Sequence, residues 1–275
     1  MSNNPYYDRL IKYRDEIRKV TDFEPEIAIV LGSGLGNFAD NIDVVATVDY
    51  RDLEDFPFST APGHVGQFIF GNLNGKKVAC MKGRVHYYEG YEMSEVVLPL
   101  RVLHLLGCDK AIITNAVGGI NKSFSVGSFM ACRDLISSFV PSPLRGPNID
   151  ELGVRFPDMS EIYDKEYIKI LKGIAEKNNI ELHEGVFIQL SGPQYETASE
   201  IIAYRNMGAD TGGMSSGVEA IACSHMGMKV CGINCITNMS TGILDQKLTG
   251  EEVIEVANKV STHFETLVKE LVKEM

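Results

Sequence analysis

Short apolar runs alternate with helical repeats along almost the whole chain, and this alternation constrains the fold more than any other feature. Runs rich in β-branched residues predict buried strands at 26–32, 76–83, 110–116, 185–192 and 229–238. Helical periodicities follow at 94–107, 167–179, 198–208 and 218–227, and the pattern of 249–275 predicts one long amphipathic helix. Strands that alternate with helices form a mostly parallel sheet covered on both faces. The sequence therefore predicts an α/β fold.

The composition limits the partners that this chain can bind. It has 275 residues, 44% of them hydrophobic, and a formal net charge of −11. Nucleic acids and anionic membranes are bound through basic surfaces, so we expect neither as a partner. Because the net charge is negative, an anionic substrate must be held by a local site that outweighs the repulsion from the rest of the protein.

The sequence also shows no sign of secretion or membrane insertion. The segment MSNNPYYDRL (1–10) lacks a basic region followed by an apolar one, so we expect no signal peptide. The apolar runs fall short of the roughly 20 residues that span a bilayer. Six cysteines, at 80, 108, 132, 223, 231 and 235, lie in apolar surroundings without CxxC pairs, as reduced core residues do. We therefore expect a cytoplasmic protein.

Glycine-rich segments with polar side chains follow the predicted strands. Ligands of open α/β sheets bind outside the carboxyl ends of the strands, so these segments are the candidates for a binding site. They are GSGLG (32–36), GRVHYYEG (83–90), NAVGGIN (115–121), SGPQYET (191–197) and TNMSTG (237–242), with GADTGGMSSG (208–217) as a sixth. We expect several of them to converge at one edge of the sheet.

The first segment, 32–36, resembles two phosphate-binding patterns and fits neither. A P-loop needs Lys and then Ser or Thr after its last glycine, but Asn37 and Phe38 follow here. In a dinucleotide fingerprint the third glycine would fall one residue later than Gly36. A strand-end turn can nevertheless present backbone N–H groups and the Ser33 hydroxyl to an anion. A tight turn without a ligand is the alternative interpretation.

The second segment concentrates charge between two glycines. Arg84 has a planar donor fork that suits phosphate, and His86 points to the same side if the segment is extended. Glu89 could orient the imidazole or keep it cationic, and Tyr88 offers a hydroxyl to a sugar. The alternative is a surface loop with an Arg–Glu pair.

Three other segments hold candidates that are weak in isolation. His64 lies between glycines, where a turn histidine is the simpler interpretation. Tyr195 could stack on a planar ring and Glu196 could accept hydrogen bonds from it, but 191–197 also reads as the cap of a helix, with Thr197 or Ser199 as the cap residue. Asn238 carries a donor and an acceptor that could read the edge of a heterocycle.

Nine segments in order carry a family resemblance over almost the whole chain. They are LGSGLG (31–36), PGHVGQFIFG (62–71), GRVHYYEG (83–90), NAVGGIN (115–121), PLRGPN (143–148), RFPDMSEIYD (155–164), GPQYET (192–197), GADTGGMS (208–215) and ITN (236–238). Together they resemble the trimeric, low-molecular-mass purine nucleoside phosphorylases, and the related methylthioadenosine phosphorylases share many of them. The resemblance implies a single domain over 1–275 with a mixed, mostly parallel central sheet flanked by helices.

The resemblance also implies roles for the site residues. The phosphate site would comprise Ser33, His64, Arg84, His86, the backbone of Ala116, and Ser215. The nucleoside would contact Tyr88, Ala116, Tyr195, Glu196, Gly212, Met214, Thr237 and Asn238, with Phe156 inserted from the neighbouring subunit of a homotrimer. His86, Glu89, Glu196 and Asn238 would be the catalytic groups.

The implied reaction is the phosphorolysis of purine nucleosides in purine salvage. Glu196 would bind the ring N–H of a 6-oxopurine and Asn238 the imidazole side, which favours inosine and guanosine, as ribo- or deoxyribonucleosides, over adenosine. Phosphate would be a co-substrate, and neither a cofactor nor a metal is expected.

Four departures from the family pattern keep alternatives open. Gly250 stands where most members have a histidine that contacts the 5′-hydroxyl, which favours a phosphorylase of 5′-modified nucleosides such as methylthioadenosine or methylthioinosine. Gly212 replaces a common valine and should enlarge the base pocket, and segments 133–144 and 216–219 also differ. There are two other hypotheses. One is a non-catalytic nucleoside-binding homologue. The other is a nicotinamide-dependent dehydrogenase, which only the glycine pattern of 32–36 suggests.

Overall fold

The computed structural model describes residues 4–245 and 247–275. Within these ranges the strands are β1 (Ile27–Val30), β2 (Asp43–Asp49), β3 (Gln67–Leu73), β4 (Lys76–Met81), β5 (Lys110–Gly119), β6 (Phe129–Ile136), β7 (Leu182–Gln189), β8 (Thr211–Gly213) and β9 (Lys229–Met239). The helices are α1 (Pro5–Val20), α2 (Met93–Val96), α3 (Leu98–Leu105), α4 (Lys165–Lys177), α5 (Ala198–Asn206), α6 (Gly217–His225), α7 (Gly250–Lys259) and α8 (Ser261–Glu274).

All described strands belong to one mixed sheet, which confirms the predicted α/β class. The strand order is β2-β3-β4-β1-β5-β8-β7-β6-β9, and β9 also pairs with β5. Strands β5, β8, β7, β6 and β9 therefore close into a ring, and β1 to β4 extend it as an open sheet. The central pairs β1–β4, β1–β5 and β5–β9 are parallel, so their carboxyl ends lie at one edge. The interpretation of 1–275 as one domain stays a prediction.

The five predicted strands are all present, but the alternation missed other elements. Edge strand β2 exposes most of its residues, so it lacks the buried run by which strands were recognised. Strands β3, β6 and β8 were also missed. Helix α1 was missed although its signals are strong. Asn4 caps its first turn, Pro5 begins it, and Leu10, Tyr13 and Ile17 are buried on one face.

Two predicted helices are interrupted. The pattern at 94–107 forms α2 and α3, which meet at Val97, two residues before Pro99. The prediction of one helix over 249–275 is wrong, because the helix breaks at Val260. The break lets α7 pack on β9 while α8 packs on α4 and β3. Across the described residues, none of the helices has the length and the apolar character that crossing a membrane requires.

The cysteines behave as the sequence predicted. All six are free and buried, in or next to the strands and helices of the core. Burial raises the pKa of Cys80 to about 12, and burial also raises the pKa of Cys235 to about 12. These thiols are therefore packing residues without nucleophilic character.

Candidate active site

The strand-end segments converge on one cavity of about 480 Å³. Its walls come from the segments after β1, β4 and β7, from the ends of β5 and β9, from β8 and the residues after it, and from the start of α7. The predicted site residues that line it are Ser33, His86, Tyr88, Ala116, Tyr195, Glu196, Gly212, Met214, Ser215, Thr237 and Asn238. The convergence expected at the carboxyl edge of the sheet is therefore present.

Four predicted site residues do not line this cavity. His64, Arg84 and Glu89 lie behind its wall, where each is bonded to a lining residue. Phe156 is 86% exposed, with the Arg155 guanidinium 5.3 Å from its ring centre.

Ser33 is held by a buried histidine. His64 Nδ1 accepts a hydrogen bond from the backbone N–H of Arg84 at 3.0 Å, and His64 Nε2 lies 2.9 Å from Ser33 Oγ. Burial, with the charges of His86 and Arg84, lowers the pKa of His64 to about 3, so the ring is neutral and its proton must lie on Nε2. His64 therefore donates to Ser33, and the Ser33 hydroxyl hydrogen is free to donate to an occupant of the cavity.

The turn after Ser33 requires glycine. Gly34 has a φ of 75°, and a Cβ at this position would lie 2.6 Å from Ala257 Cβ of α7. This close approach brings α7 against the Ser33 segment.

Glu89 holds His86 to the segment that carries His64. Its carboxylate accepts from His86 Nδ1 at 2.7 Å and from the His86 backbone N–H at 2.9 Å. It also accepts from the backbone N–H and the hydroxyl of Thr60. Burial raises the pKa of Glu89, but the hydrogen bonds from His86 and Thr60 outweigh it and hold the pKa at about 2. With Nδ1 engaged, Nε2 is the nitrogen of His86 left to face a ligand.

Arg84 places a positive charge directly behind Ser215. Its Nη1 donates to Ser215 Oγ at 3.0 Å and to Ser216 Oγ at 3.1 Å, and its Nη2 donates to the Thr114 carbonyl at 2.7 Å. The guanidinium is 1% exposed. Burial lowers its pKa, and the charge of Glu219 opposes that shift.

Sequence reasoning missed Glu219. It is fully buried, and its Oε1 lies 3.2 Å from Arg84 Nε, although the two are not aligned for a hydrogen bond. Its Oε2 accepts from the Ser216 backbone N–H at 2.7 Å, at the start of α6. A glutamate three residues after a serine was a visible capping signal. Nothing in the spacing indicated that the carboxylate would also neutralise Arg84.

A bulge at the end of β9 turns two consecutive side chains to the cavity. Val117 pairs with Ile236 and Gly118 with Asn238, so Thr237 is an extra residue. Neighbours on a regular strand point to opposite faces, yet Thr237 and Asn238 both line the cavity. Thr237 Oγ1 lies 3.2 Å from Asn238 Oδ1, and Asn238 Nδ2 lies 3.3 Å from the Met239 carbonyl. Within the described part of the chain, the second N–H of this amide has no acceptor.

Tyr195 and Glu196 form a wall just before α5. Thr197 caps this helix, as the sequence suggested, and Glu200 completes the capping box. Burial raises the pKa of Glu196, although its own backbone N–H lowers it, and the charge of Glu200 raises it further. Burial raises the pKa of Tyr195, and the charge of Glu196 adds to it.

The two glycines that depart from the family pattern differ in their surroundings. A Cβ on Gly212 would lie 3.2 Å from Ile120 Cδ1 and 3.4 Å from Ile188 Cγ2, so aliphatic side chains already fill that space. The structure does not support the enlargement expected there. A Cβ on Gly250 would meet no heavy atom within 4 Å. Of the two positions, only Gly250 has open space beside its Cα, and this residue is exposed to solvent.

An α/β sheet with a half-open, glycine-rich cavity at its strand ends is typical of a protein that binds small molecules. The chain belongs to the phosphorylase superfamily, which it matches over residues 26–273. Across the residues described, no cluster of His, Cys, Asp or Glu side chains has the arrangement of a metal site.

Relatives within this family are similar over nearly their full length. Purine nucleoside phosphorylase 1 of Geobacillus stearothermophilus is 47% identical over 251 residues, which are 91% of this chain and 92% of the relative. A Schistosoma purine nucleoside phosphorylase in complex with hypoxanthine has a TM-score of 0.92 at 36% identity, over 98% of this chain and 97% of that chain. A Schistosoma mansoni enzyme in complex with inosine has a TM-score of 0.92 at 34% identity, over 98% and 96%. These findings confirm the family that the nine segments indicated.

Proposed function

We propose that the chain is a purine nucleoside phosphorylase, a pentosyltransferase that cleaves 6-oxopurine nucleosides with phosphate. The observation that carries this proposal is the single cavity in which hydroxyl and imidazole donors stand on one wall and Glu196 and Asn238 on another. Relatives similar over nearly the whole chain bear this name, and related structures in complex with inosine, hypoxanthine and adenosine support purine nucleosides as the substrate class.

The first wall would hold the phosphate. Ser33 and Ser215 accept hydrogen bonds from His64 and Arg84 behind them, so both hydroxyl hydrogens can donate to an anion. His86 Nε2 adds a third donor when protonated. Arg84 Nε has no aligned acceptor among the described residues but lies beside the Glu219 carboxylate, so Arg84 would act on the phosphate through its charge and through Ser215. We assign Ser33, His64, Arg84, His86, the backbone of Ala116, and Ser215 to the phosphate site.

The second wall would bind the purine. Tyr195 offers a ring face, and the free N–H of Asn238 can donate to the imidazole-side nitrogen of the base. Glu196 can accept from the ring N–H of a 6-oxopurine. Adenine has no such N–H at that edge, so the carboxylate would be left unpaired. Tyr88 and Met214, which also line the cavity, would contact the ribose.

The reaction would be a direct substitution at the anomeric carbon. A phosphate oxygen bonds to this carbon as the bond to the purine nitrogen breaks. The electron pair of the broken bond leaves with the purine, and the proton of hydrogen phosphate ends on it. The products are the free base and ribose 1-phosphate. Asn238 stabilises the charge that develops on the leaving purine, and the phosphate offsets the positive charge on the ribose.

The finer statements on assembly and cofactors are also proposals. We infer a homotrimer in which Phe156 reaches a neighbouring site, since this large aromatic side chain is 86% exposed on a single chain. Phosphate would be a co-substrate without a cofactor. The buried, unpaired thiols fit a cytoplasmic location.

One experiment tests the function. The chain is incubated with inosine, guanosine, xanthosine and adenosine, with and without phosphate, and free base is followed by chromatography. We expect hypoxanthine and guanine only with phosphate, and little adenine. Ser33→Ala should raise KM for phosphate more than KM for inosine. Absence of free base would favour the non-catalytic homologue, and release without phosphate would contradict phosphorolysis.

A further inference from the structure

The segment 216–219 departs from the family pattern, and the proposed function leaves it without a role. It begins α6 directly after Ser215, which lines the cavity. Ser216 has a φ of 80° and a ψ of −40°, a backbone conformation that residues other than glycine rarely adopt. Such strain persists only where the surrounding structure holds it in place, and it is concentrated at functional sites. The groups that hold Ser216 are therefore candidates for a function.

Glu219 holds the main chain of this turn. Its Oε2 accepts a hydrogen bond from the Ser216 backbone N–H at 2.7 Å, and its side chain is 0% exposed. Because the acceptor is charged, this bond is stronger than one between neutral groups. The next residue, Gly217, has no room for a side chain, since a Cβ there would lie 2.7 Å from Leu135 Cδ1. The turn is therefore enclosed, and Glu219 fixes its backbone.

Arg84 connects the turn to the wall of the cavity. Its Nη1 donates to both Ser215 Oγ and Ser216 Oγ, at 3.0 and 3.1 Å. On the other side of the guanidinium, Arg84 Nε lies 3.2 Å from Glu219 Oε1. Both charged groups are buried, and a buried charge that loses its partner is costly. Glu219 thus acts on the backbone of the turn directly and on its hydroxyl groups through Arg84.

We propose that Glu219 is a positioning residue, which holds Ser216 in its positive-φ conformation and so keeps the Ser215 hydroxyl on the wall assigned to phosphate before phosphate arrives. This inference rests on the proposed function, because it concerns the phosphate of that reaction. Glu219 itself would contact neither substrate. Its loss should affect phosphate far more than the nucleoside, since Glu196 and Asn238 belong to other segments.

The test measures Kd for phosphate by calorimetry without nucleoside, and KM for phosphate and for inosine. Glu219→Gln should raise Kd and KM for phosphate about tenfold or more, and KM for inosine less than about threefold. Ser216→Gly should restore phosphate binding in the Glu219→Gln background, because glycine adopts a positive φ without being held there. The double variant should bind phosphate within about threefold of Ser216→Gly alone.

Asn179→Gly is the matched control for this restoration. Asn179 also has a positive φ, of 53°, but it is exposed just after α4. Glycine at this position should leave the phosphate affinity of Glu219→Gln as low as before. If Glu219→Gln does not fold, Glu219→Asp takes its place, because aspartate keeps the charge beside Arg84 but has one methylene fewer with which to reach Ser216.

Each outcome decides the inference. A selective loss of phosphate binding that Ser216→Gly restores and Asn179→Gly does not restore supports it. Unchanged phosphate binding in a folded Glu219 variant overturns it, and so does an equal loss for phosphate and inosine or a loss that Ser216→Gly does not restore. Those results leave the proposed function intact. If the parent protein binds phosphate but cleaves no nucleoside, the proposed function fails and calorimetry alone decides the inference. A parent protein that binds no phosphate overturns both.

Discussion

Under the proposed function Glu196 would select among purines, and its titration gives a prediction. Burial raises the pKa of this carboxyl group. An ionised Glu196 accepts the ring N–H of the base, so kcat/KM for inosine should fall as the pH falls through that raised pKa. Glu196→Gln should lose about 1.5–3 kcal/mol of transition-state stabilisation and should flatten this acid limb. Steady-state kinetics over a pH series measure both effects.

The matched control is Glu176→Gln, on the exposed face of α4. It should leave kcat/KM and the acid limb as in the parent protein. A Glu196→Gln variant with the parental acid limb would show that another group titrates.

At the scale of residues, sequence reasoning found the polar groups of the cavity better than their mutual contacts. Ser33, His86 and Glu196 were visible because they follow predicted strands in glycine-rich segments, where ligands of open α/β sheets bind. The contacts that link Glu219 to Arg84 and Arg84 to Ser215 were not apparent from the sequence. It joins positions far apart in the chain, and only the sheet and α6 bring them together.

At the scale of elements, the close packing of β1 on β5 gives a second prediction. A Cβ on Gly32 would lie 2.6 Å from Asn115 Cα and 3.2 Å from the Ala116 backbone nitrogen. Because backbone cannot move as a side chain does, Gly32→Ala should separate the two strand ends. We expect a loss of about 1–3 kcal/mol in the free energy of unfolding and a raised KM for phosphate. Urea denaturation and steady-state kinetics measure these changes.

Gly173→Ala is the control, for which we expect a change of opposite sign in the free energy of unfolding. Gly173 lies inside α4 with open space around it, so alanine should stabilise the protein by about 0.5–1 kcal/mol. Equal stability changes for both variants would contradict the packing argument.

The strands that the sequence predicted each contain a run of consecutive buried residues, although β3 contains such a run and was missed. Strands β1, β4, β5, β7 and β9 are of this kind. Strand β8 has three residues and includes two glycines, too few to show any period. The break at Val260 was invisible because Val253 to Leu271 keep a helical spacing across it. Helices α7 and α8 pack on different elements, yet their apolar residues continue one stripe in the sequence.

At the scale of the whole molecule, the proposed trimer predicts complementation between defective subunits. Phe156→Ala should lower kcat/KM for inosine, because a site loses its neighbour's aromatic ring. Asn238→Ala should be nearly inactive. Co-expression of the two variants should restore activity, since a subunit with Phe156→Ala can receive Phe156 from a neighbour that carries Asn238→Ala. Light scattering should give the mass of three chains.

Val154→Ala provides the control for this experiment. Val154 is 65% exposed on the same segment, so its truncation should leave the single-variant activity unchanged. Co-expression without recovery, or the mass of one chain, would rule out a shared site.

The buried thiols have a practical consequence for following the molecule in time. Since all six are shielded and none forms a disulfide, an alkylating reagent can reach them only when the core opens. Mass spectrometry would then show which cysteines have been labelled, and therefore which part of the core has opened. Labels confined to Cys108 and Cys223 would report a local breathing motion, whereas six labels appearing together would report global unfolding.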